Sequence, residues 1–351
     1  MNKNLLNLSP LDGRYANDVI DLNSFFSEMS LMQYRIKIEI EYLIALSNEK
    51  KIQHIESLNK KEINDLRKIY LHFDFSEAKK IKKIEKETNH DVKAVEYYLH
   101  TKIKKELHAW IHFGLTSEDI NNLCYTLMWK DAIESQYIKT LVKVCDELKL
   151  LSKKYKNISM LSLTHGQPAS PTTVGKEFAV FSHRITKSLK SLRKHAFEAK
   201  FSGATGNWSA HSVSFKEVNW IEFSKRFLIS FDLQPNLITT QIEPNDSLAE
   251  SFHQIIRINT ILIDFCQDIW LYISRGVFKQ KKVSSEVGSS TMPHKINPIN
   301  FENAEGNLGL GSTILNHLSM KLSISRMQRD LSGSTVIRNH GVGLAHSYLA
   351  L

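Results

Sequence analysis

The stretch SEDINNLCYTLMWKDAIESQYIKTLVKVCDELKLLSKK, residues 117–154, contains neither proline nor glycine. It opens on a serine followed by two acids, the composition of a helix N-cap and first turn. Apolar positions then recur at helical spacing as far as Lys154. One helix over that range is roughly 55 Å long at 1.5 Å per residue. Further long runs cover 173–200, 245–275 and 302–322, and the connections between them differ greatly in length. Long helices with unequal loops predict a bundle with crossover connections. Residues 254–273 are apolar on nearly every side, which predicts a central helix or one shared with partner subunits.

Ahead of residue 117 the pattern is shorter in scale, with helical runs at 25–48, 60–72, 76–87 and 92–107. The change falls near 108–116. It divides the chain into an N-terminal helical domain, 1–112, and a long-helix bundle, 113–351. No βαβ alternation, GxGxxG or P-loop is present, so the fold class is all-α rather than a doubly wound sheet.

Composition narrows the function. The chain has 351 residues, of which 42% are hydrophobic, enough for a large core. Its net charge of +9 favours an anionic partner. The lysines, however, sit in mixed runs such as KKIKKIEKE (79–87), which read as a solvated helix face. Without an arginine-rich arm, an aromatic platform or zinc-finger spacing, no nucleic-acid partner is expected. Cys124, Cys145 and Cys266 form no CxxC and suit buried thiols in a reducing compartment. The N-terminus lacks the apolar run of a signal peptide, and no stretch reaches the length of a membrane span. A soluble, cytoplasmic protein without membrane partners is expected.

The unusual residues lie between the long helices. In LTHGQPASPTT (163–173), Pro168, Pro171 and Gly166 constrain the backbone around His165. His165 reads either as an ordinary surface or capping histidine or as a general acid. Asn89, His90 and Asp91 precede a helix, where the asparagine or the aspartate could cap it, or the histidine between amide and carboxylate could bind or orient an anion. Thr116 and Ser117 could likewise cap the long helix, or hold a carboxylate at its N-terminus. In SSEVGSSTMPHKINP (284–298), Gly288 permits mobility for Ser289 and Ser290, while Pro293 and Pro298 bracket Lys295 and Asn297. A serine becomes a base only when a nearby cation and backbone N–H groups stabilise its alkoxide. The GxSxG elbow of a serine hydrolase is absent. Finally, Arg326, Arg329 and Arg338 with Ser332, Ser334 and Thr335 suit a phosphate or carboxylate clamp, or simply charge a surface helix end.

GSSTMPHKINP (288–298) resembles the signature loop of the fumarase/aspartase superfamily, β-eliminating lyases that release fumarate. TNHDVKAVEYYL, HFGLTSEDINN, LTHGQPASPTTVGKE and TTQIEPND resemble one family within it, the bacterial adenylosuccinate lyases. The matches run from LSPLDGRY (8–15) to STVIRN (334–339). The resemblance implies helical domains around a long-helix bundle, and a homotetramer whose active sites draw loops from several subunits. It implies fumarate elimination from two purine nucleotides, adenylosuccinate and the succinyl-carboxamide ribotide (SAICAR), without metal or organic cofactor.

By position, the resemblance makes Ser289 the base that removes the Cβ proton, with Ser290 its rival, and His165 the acid for the departing nitrogen. Lys295 and Asn297 would hold the carboxylate that gains charge, and His90 beside Asn89 and Asp91 would orient substrate or acid. Arg14, Tyr15, Arg329, Ser334, Thr335 and Arg338 would bind the phosphate and its surroundings. Thr116, Ser117 and Gln241 would contact the succinyl portion. The family also carries a further helical C-terminal portion beyond the point reached by AHSYLAL (345–351). The rival readings are another lyase of the superfamily, such as argininosuccinate lyase, and a non-catalytic helical scaffold.

Overall fold

The computed structural model describes residues 6–281 and 296–351. The N-terminal part holds α1 (Asn23–Phe26), α2 (Glu28–Ser47), α3 (Lys60–Leu71), α4 (Phe75–Thr88) and α5 (Asp91–His100). The long stretch at 117–154 is helical throughout. It comprises α6 (Ser117–Ala132), one π-helical turn at Ile133–Tyr137, and α7 (Ile138–Lys154). The π turn is the kind of interruption a long helix tolerates without a breaker residue. A hairpin follows, β1 (Ser159–Thr164) and β2 (Gln167–Thr173), then α8 (Val174–Leu192). The strand β3 (Glu198–Ala199), α9 (Ser209–Ser214), α10 (Trp220–Ile229) and β4 (Gln234–Pro235) lead to α11 (Asp246–Ser274). The chain continues through α12 (Ile299–Leu322), α13 (Ser332–Val336) and α14 (His340–Leu349).

The architecture is all-α, with two two-stranded sheets as attachments. In the bundle, α11 and α12 run antiparallel, as the side-chain bonds Gln267–Glu305, Trp270–Glu302 and Asn259–Ser312 show. The helix α14 packs against α12, where Gly311 meets Gly343 and Ser347 so closely that a Cβ would collide. One continuous core reaches from Leu11 to Ala345 and includes Trp129, Tyr137, Phe252 and Ile258. The expectation that α11 is apolar all round needs qualification. Ile255, Ile258 and Leu262 are buried, while Trp270 and Leu271 are exposed on this chain.

Two further expectations changed. The stretch at 163–173, read as a loop, is largely strand. The register pairs Leu161 with Pro171 and Leu163 with Pro168 across a bulge. Proline is tolerated because this two-stranded ribbon is all edge. The predicted helix 173–200 ends at Leu192, and the remainder enters β3. Cys124, Cys145 and Cys266 are free and buried, as expected. No helix among the described residues is long and apolar enough to cross a membrane.

Candidate active site

Helix termini build the site. Asn89 closes α4 in the left-handed conformation (φ 50°), which asparagine adopts more readily than most residues. That turn delivers His90 as the N-cap of α5, where its Nδ1 accepts the Lys93 amide at 3.1 Å. Because Nδ1 accepts, a neutral His90 carries its proton on Nε2. Thr116 occupies the N-cap of α6, and its amide donates to Asp119 Oδ2 at 2.9 Å. Capping is therefore one role of Thr116, and Ser117 opens the helix behind it.

These two N-termini face each other across a cavity of about 640 Å³, closed by the 241–245 loop, the end of α12 and the 324–338 segment. Of the residues singled out in the sequence, Asn89, His90, Asp91, Ser117, Gln241, Arg329, Ser334 and Arg338 line it. Arg329 Nη1 donates to Gln241 Oε1 at 3.2 Å, and Gln241 Nε2 donates to the Ala204 carbonyl at 2.8 Å. Asp330 shapes the arginine loop by accepting the Arg326 and Ser332 amides at 3.0 and 2.7 Å.

Asp91 does something the sequence did not indicate. Its Oδ2 accepts from Arg35 Nη2 at 2.8 Å and from Arg338 Nη2 at 2.9 Å. Burial works to raise its pKa, yet the two guanidiniums hold the carboxyl down at about 2. Glu118, also in the cavity wall, goes the other way. Burial pushes its carboxyl up to about 7, against the pull of Arg329 and Lys200. Behind the wall, Asp119 and Lys200 form a fully buried ion pair at 2.9 Å. Sequence reasoning did not single out Arg35, Glu118, Asn121, Tyr125 or the Asp119–Lys200 pair. Arg35 shares the run SLMQYRIKIEI of α2 with Gln33, Lys37 and Glu39, so its burial left no local signal in the sequence.

Other predicted residues lie elsewhere on this chain. His165 (φ 52°) and Gly166 (φ 71°) form the exposed tip of the β1–β2 hairpin, two consecutive left-handed residues as in a type I′ turn. The tip is tied to the far end of α11, where Arg275 Nη1 donates to the Gly166 carbonyl at 3.0 Å. The near end of α11 follows Asn245 in the cavity wall, and a helix of 29 residues spans about 43 Å. Arg14 stacks on Tyr15, whose hydroxyl reaches Asn303 in the second turn of α12. That turn lies about 28 Å along the helix from Leu322 in the cavity wall. Thr335 is exposed and lies outside the cavity wall. Asn297 precedes α12. Ser289, Ser290 and Lys295 lie outside the described residues. Among the described residues, no group of three or more His, Cys, Asp or Glu side chains is placed to hold a metal ion.

The match to known proteins follows this geometry. Residues 13–310 fit the family described as Lyase, and the chain belongs to that family. Two solved structures share its fold. A fumarate lyase from Mesorhizobium sp. BNC1 superposes with a TM-score of 0.73 at 16% identity, over 94% of this chain and 72% of that one. A 3-carboxy-cis,cis-muconate lactonizing enzyme from Pseudomonas putida gives 0.74 at 19%, over 94% and 73%.

Within the family, the chain falls among the adenylosuccinate lyases. It is 49% identical to that of Legionella pneumophila (strain Philadelphia 1), over 98% of this chain and 76% of the relative. It is 48% identical to that of Dictyostelium discoideum, over 99% and 77%. With that of Escherichia coli K12 it shares 46%, over 98% and 76%. The chain thus spans about three quarters of the length of these relatives.

Proposed function

We propose that the chain is a carbon–nitrogen lyase that eliminates fumarate from adenylosuccinate, leaving AMP, and from SAICAR, leaving the carboxamide ribotide (AICAR), in purine nucleotide synthesis. The observation that carries this reading is the convergence of Arg329, Arg338, Ser334 and His90 on one cavity of nucleotide size. Two guanidiniums and a hydroxyl match a phosphate, and the adjoining helix N-termini favour further negative charge.

In the elimination, a base takes a proton from the carbon beside a carboxylate. The electron pair forms the fumarate double bond, the C–N bond breaks, and an acid protonates the departing nitrogen. Ser289 is assigned as base, Lys295 and Asn297 as the clamp on the carboxylate that gains charge, and His165 as the acid. His90 orients substrate or acid, Arg14, Tyr15 and Thr335 complete the phosphate surroundings, and Thr116, Ser117 and Gln241 contact the succinyl portion. Acid, base and anion clamp suffice for this chemistry without a cofactor.

His165 and the cavity lie at opposite ends of α11, about 40 Å apart on one chain. We therefore assign the catalytic unit to a homotetramer with shared sites, in which the His165 hairpin of one subunit serves the cavity of another. We also keep the division into an N-terminal domain, 1–112, and a bundle, 113–351, and a cytoplasmic location. The test is fumarate release from adenylosuccinate, with argininosuccinate as control. Ser289→Ala is expected to lower kcat by orders of magnitude with little change in substrate binding. Mixtures of inactive His90→Ala and His165→Ala proteins are expected to regain activity after subunit exchange. Turnover of argininosuccinate alone would overturn the assignment, and absence of recovery would overturn the sharing.

A further inference from the structure

Arg35 is unusual for its burial, since a charged side chain is rarely fully enclosed unless it is paired. It sits in the middle of α2 between buried Tyr34 and Ile36, and its side chain is only 3% exposed. Burying a guanidinium costs several kcal/mol unless it is paired and hydrogen-bonded. An apolar residue would fill the same space at less cost, so its contacts should explain its presence. Nη2 donates to Asp91 Oδ2 at 2.8 Å and Nε to Asn121 Oδ1 at 3.0 Å. Both acceptors belong to residues of the cavity wall.

Arg338 reaches the same Asp91 oxygen from the cavity side, at 2.9 Å, with half of its side chain exposed. One carboxylate oxygen is thus shared by two guanidiniums, leaving a net charge of about +1 on the trio. Were Arg35 absent, Asp91 would have Arg338 as its one remaining guanidinium and could close a two-pronged pair with it. That arrangement would turn Arg338 away from the cavity and cancel its charge.

We propose that Arg35 is a positioning residue: by occupying one side of Asp91, it keeps Arg338 aimed into the cavity and free to bind an anionic ligand. The inference rests on the nucleotide-lyase reading above for the nature of that ligand. Arg35 itself never touches the substrate.

The experiment measures AMP binding by calorimetry and fumarate release by the full-length protein, for wild type, Arg35→Gln, Arg338→Gln and the double variant. Loss of Arg35 is expected to weaken AMP about tenfold or more, the scale of one charge-assisted hydrogen bond, with KM rising more than kcat falls. In the Arg338→Gln background the same change should cost no more than about threefold, since the group it positions is already gone. A purely structural role would instead multiply the two losses, and that result overturns the proposal, as does unchanged AMP affinity in folded Arg35→Gln. If Arg35→Gln does not fold, Arg35→Lys takes its place. Lys keeps the buried charge but lacks the fork that holds Asp91 and Asn121 together. It is expected to bind AMP several-fold more weakly, and wild-type affinity overturns the relay. A wild-type protein that neither binds AMP nor releases fumarate defeats the functional reading alone. Inorganic phosphate then serves as the probe, and equal binding by wild type and Arg35→Gln would defeat the relay separately.

Discussion

Replacing Lys200 by methionine tests what holds the N-terminus of α6 in place. Lys200 and Asp119 are both 0% exposed. Asp119 accepts Lys200 Nζ at 2.9 Å together with the amides of Ser202 and Gly203, and its other oxygen takes the Thr116 amide at 2.9 Å. Lys200 in turn donates to the Gly203 carbonyl at 2.7 Å. Methionine fills similar volume but leaves a buried carboxylate without its counter-ion, a change that costs about 3–5 kcal/mol. Three backbone amides and the dipole at the start of α6 remain to offset that charge. The expected loss is therefore at the lower end, about 3 kcal/mol. Urea denaturation of wild type and variant at one protein concentration reads it directly, since oligomerisation makes stability concentration-dependent. A cycle with Asp119→Asn should show coupling of about 2 kcal/mol or more. A loss below about 1 kcal/mol, or strictly additive single changes, would refute the claim that the pair acts as a unit. Fumarate release should fall as well, because the Asp119–Thr116 bond sets the turn that presents Ser117 and Glu118 to the cavity.

Two further expectations concern the cavity wall. Gly206 has φ +74°, and a Cβ there would run into the Thr239 and Thr240 carbonyls that lead to Gln241. Gly206→Ala should cost at least about 2 kcal/mol and depress kcat/KM, while Gly276→Ala, at φ +72° with open space around it, should cost about 1 kcal/mol. Equal melting temperatures for the two variants would refute the steric argument. Glu118, raised by burial from 4.5 to about 7, binds its proton more tightly folded than unfolded. Its favourable contribution is full below about pH 4.5 and lost as pH rises through 7. Glu118→Gln should therefore stabilise the protein by about 1–2 kcal/mol at pH 8, after allowance for partial solvent access, and hardly at all at pH 4. The same stability change at both values would show that the carboxyl does not titrate in this range.

The helices were written locally. Residues 117–154 lack a breaker, so they could hardly be anything but helix. The cap at Thr116 stands where short polar residues precede apolar periodicity, whereas the cap of α5 fell to His90 rather than to Asn89 or Asp91. The quoted motifs, each contiguous, were enough to point to the lyase family and to single out His90, Ser117, Gln241, Arg329 and Arg338, which line one cavity. The hairpin at 159–173 was not legible, because its prolines and glycine read as loop until a partner strand fixes their register. Tertiary structure alone decided the partners of Asp91. Arg35 lies 56 residues before it and Arg338 lies 247 after it, and no local pattern encodes which distant cation a carboxylate meets. It also decided that His165 stands a helix length from the cavity, since α11 carries hairpin and cavity at opposite ends. Backbone preferences act over a few residues and survive in the sequence, whereas the pairing of buried charges depends on which helices pack against each other.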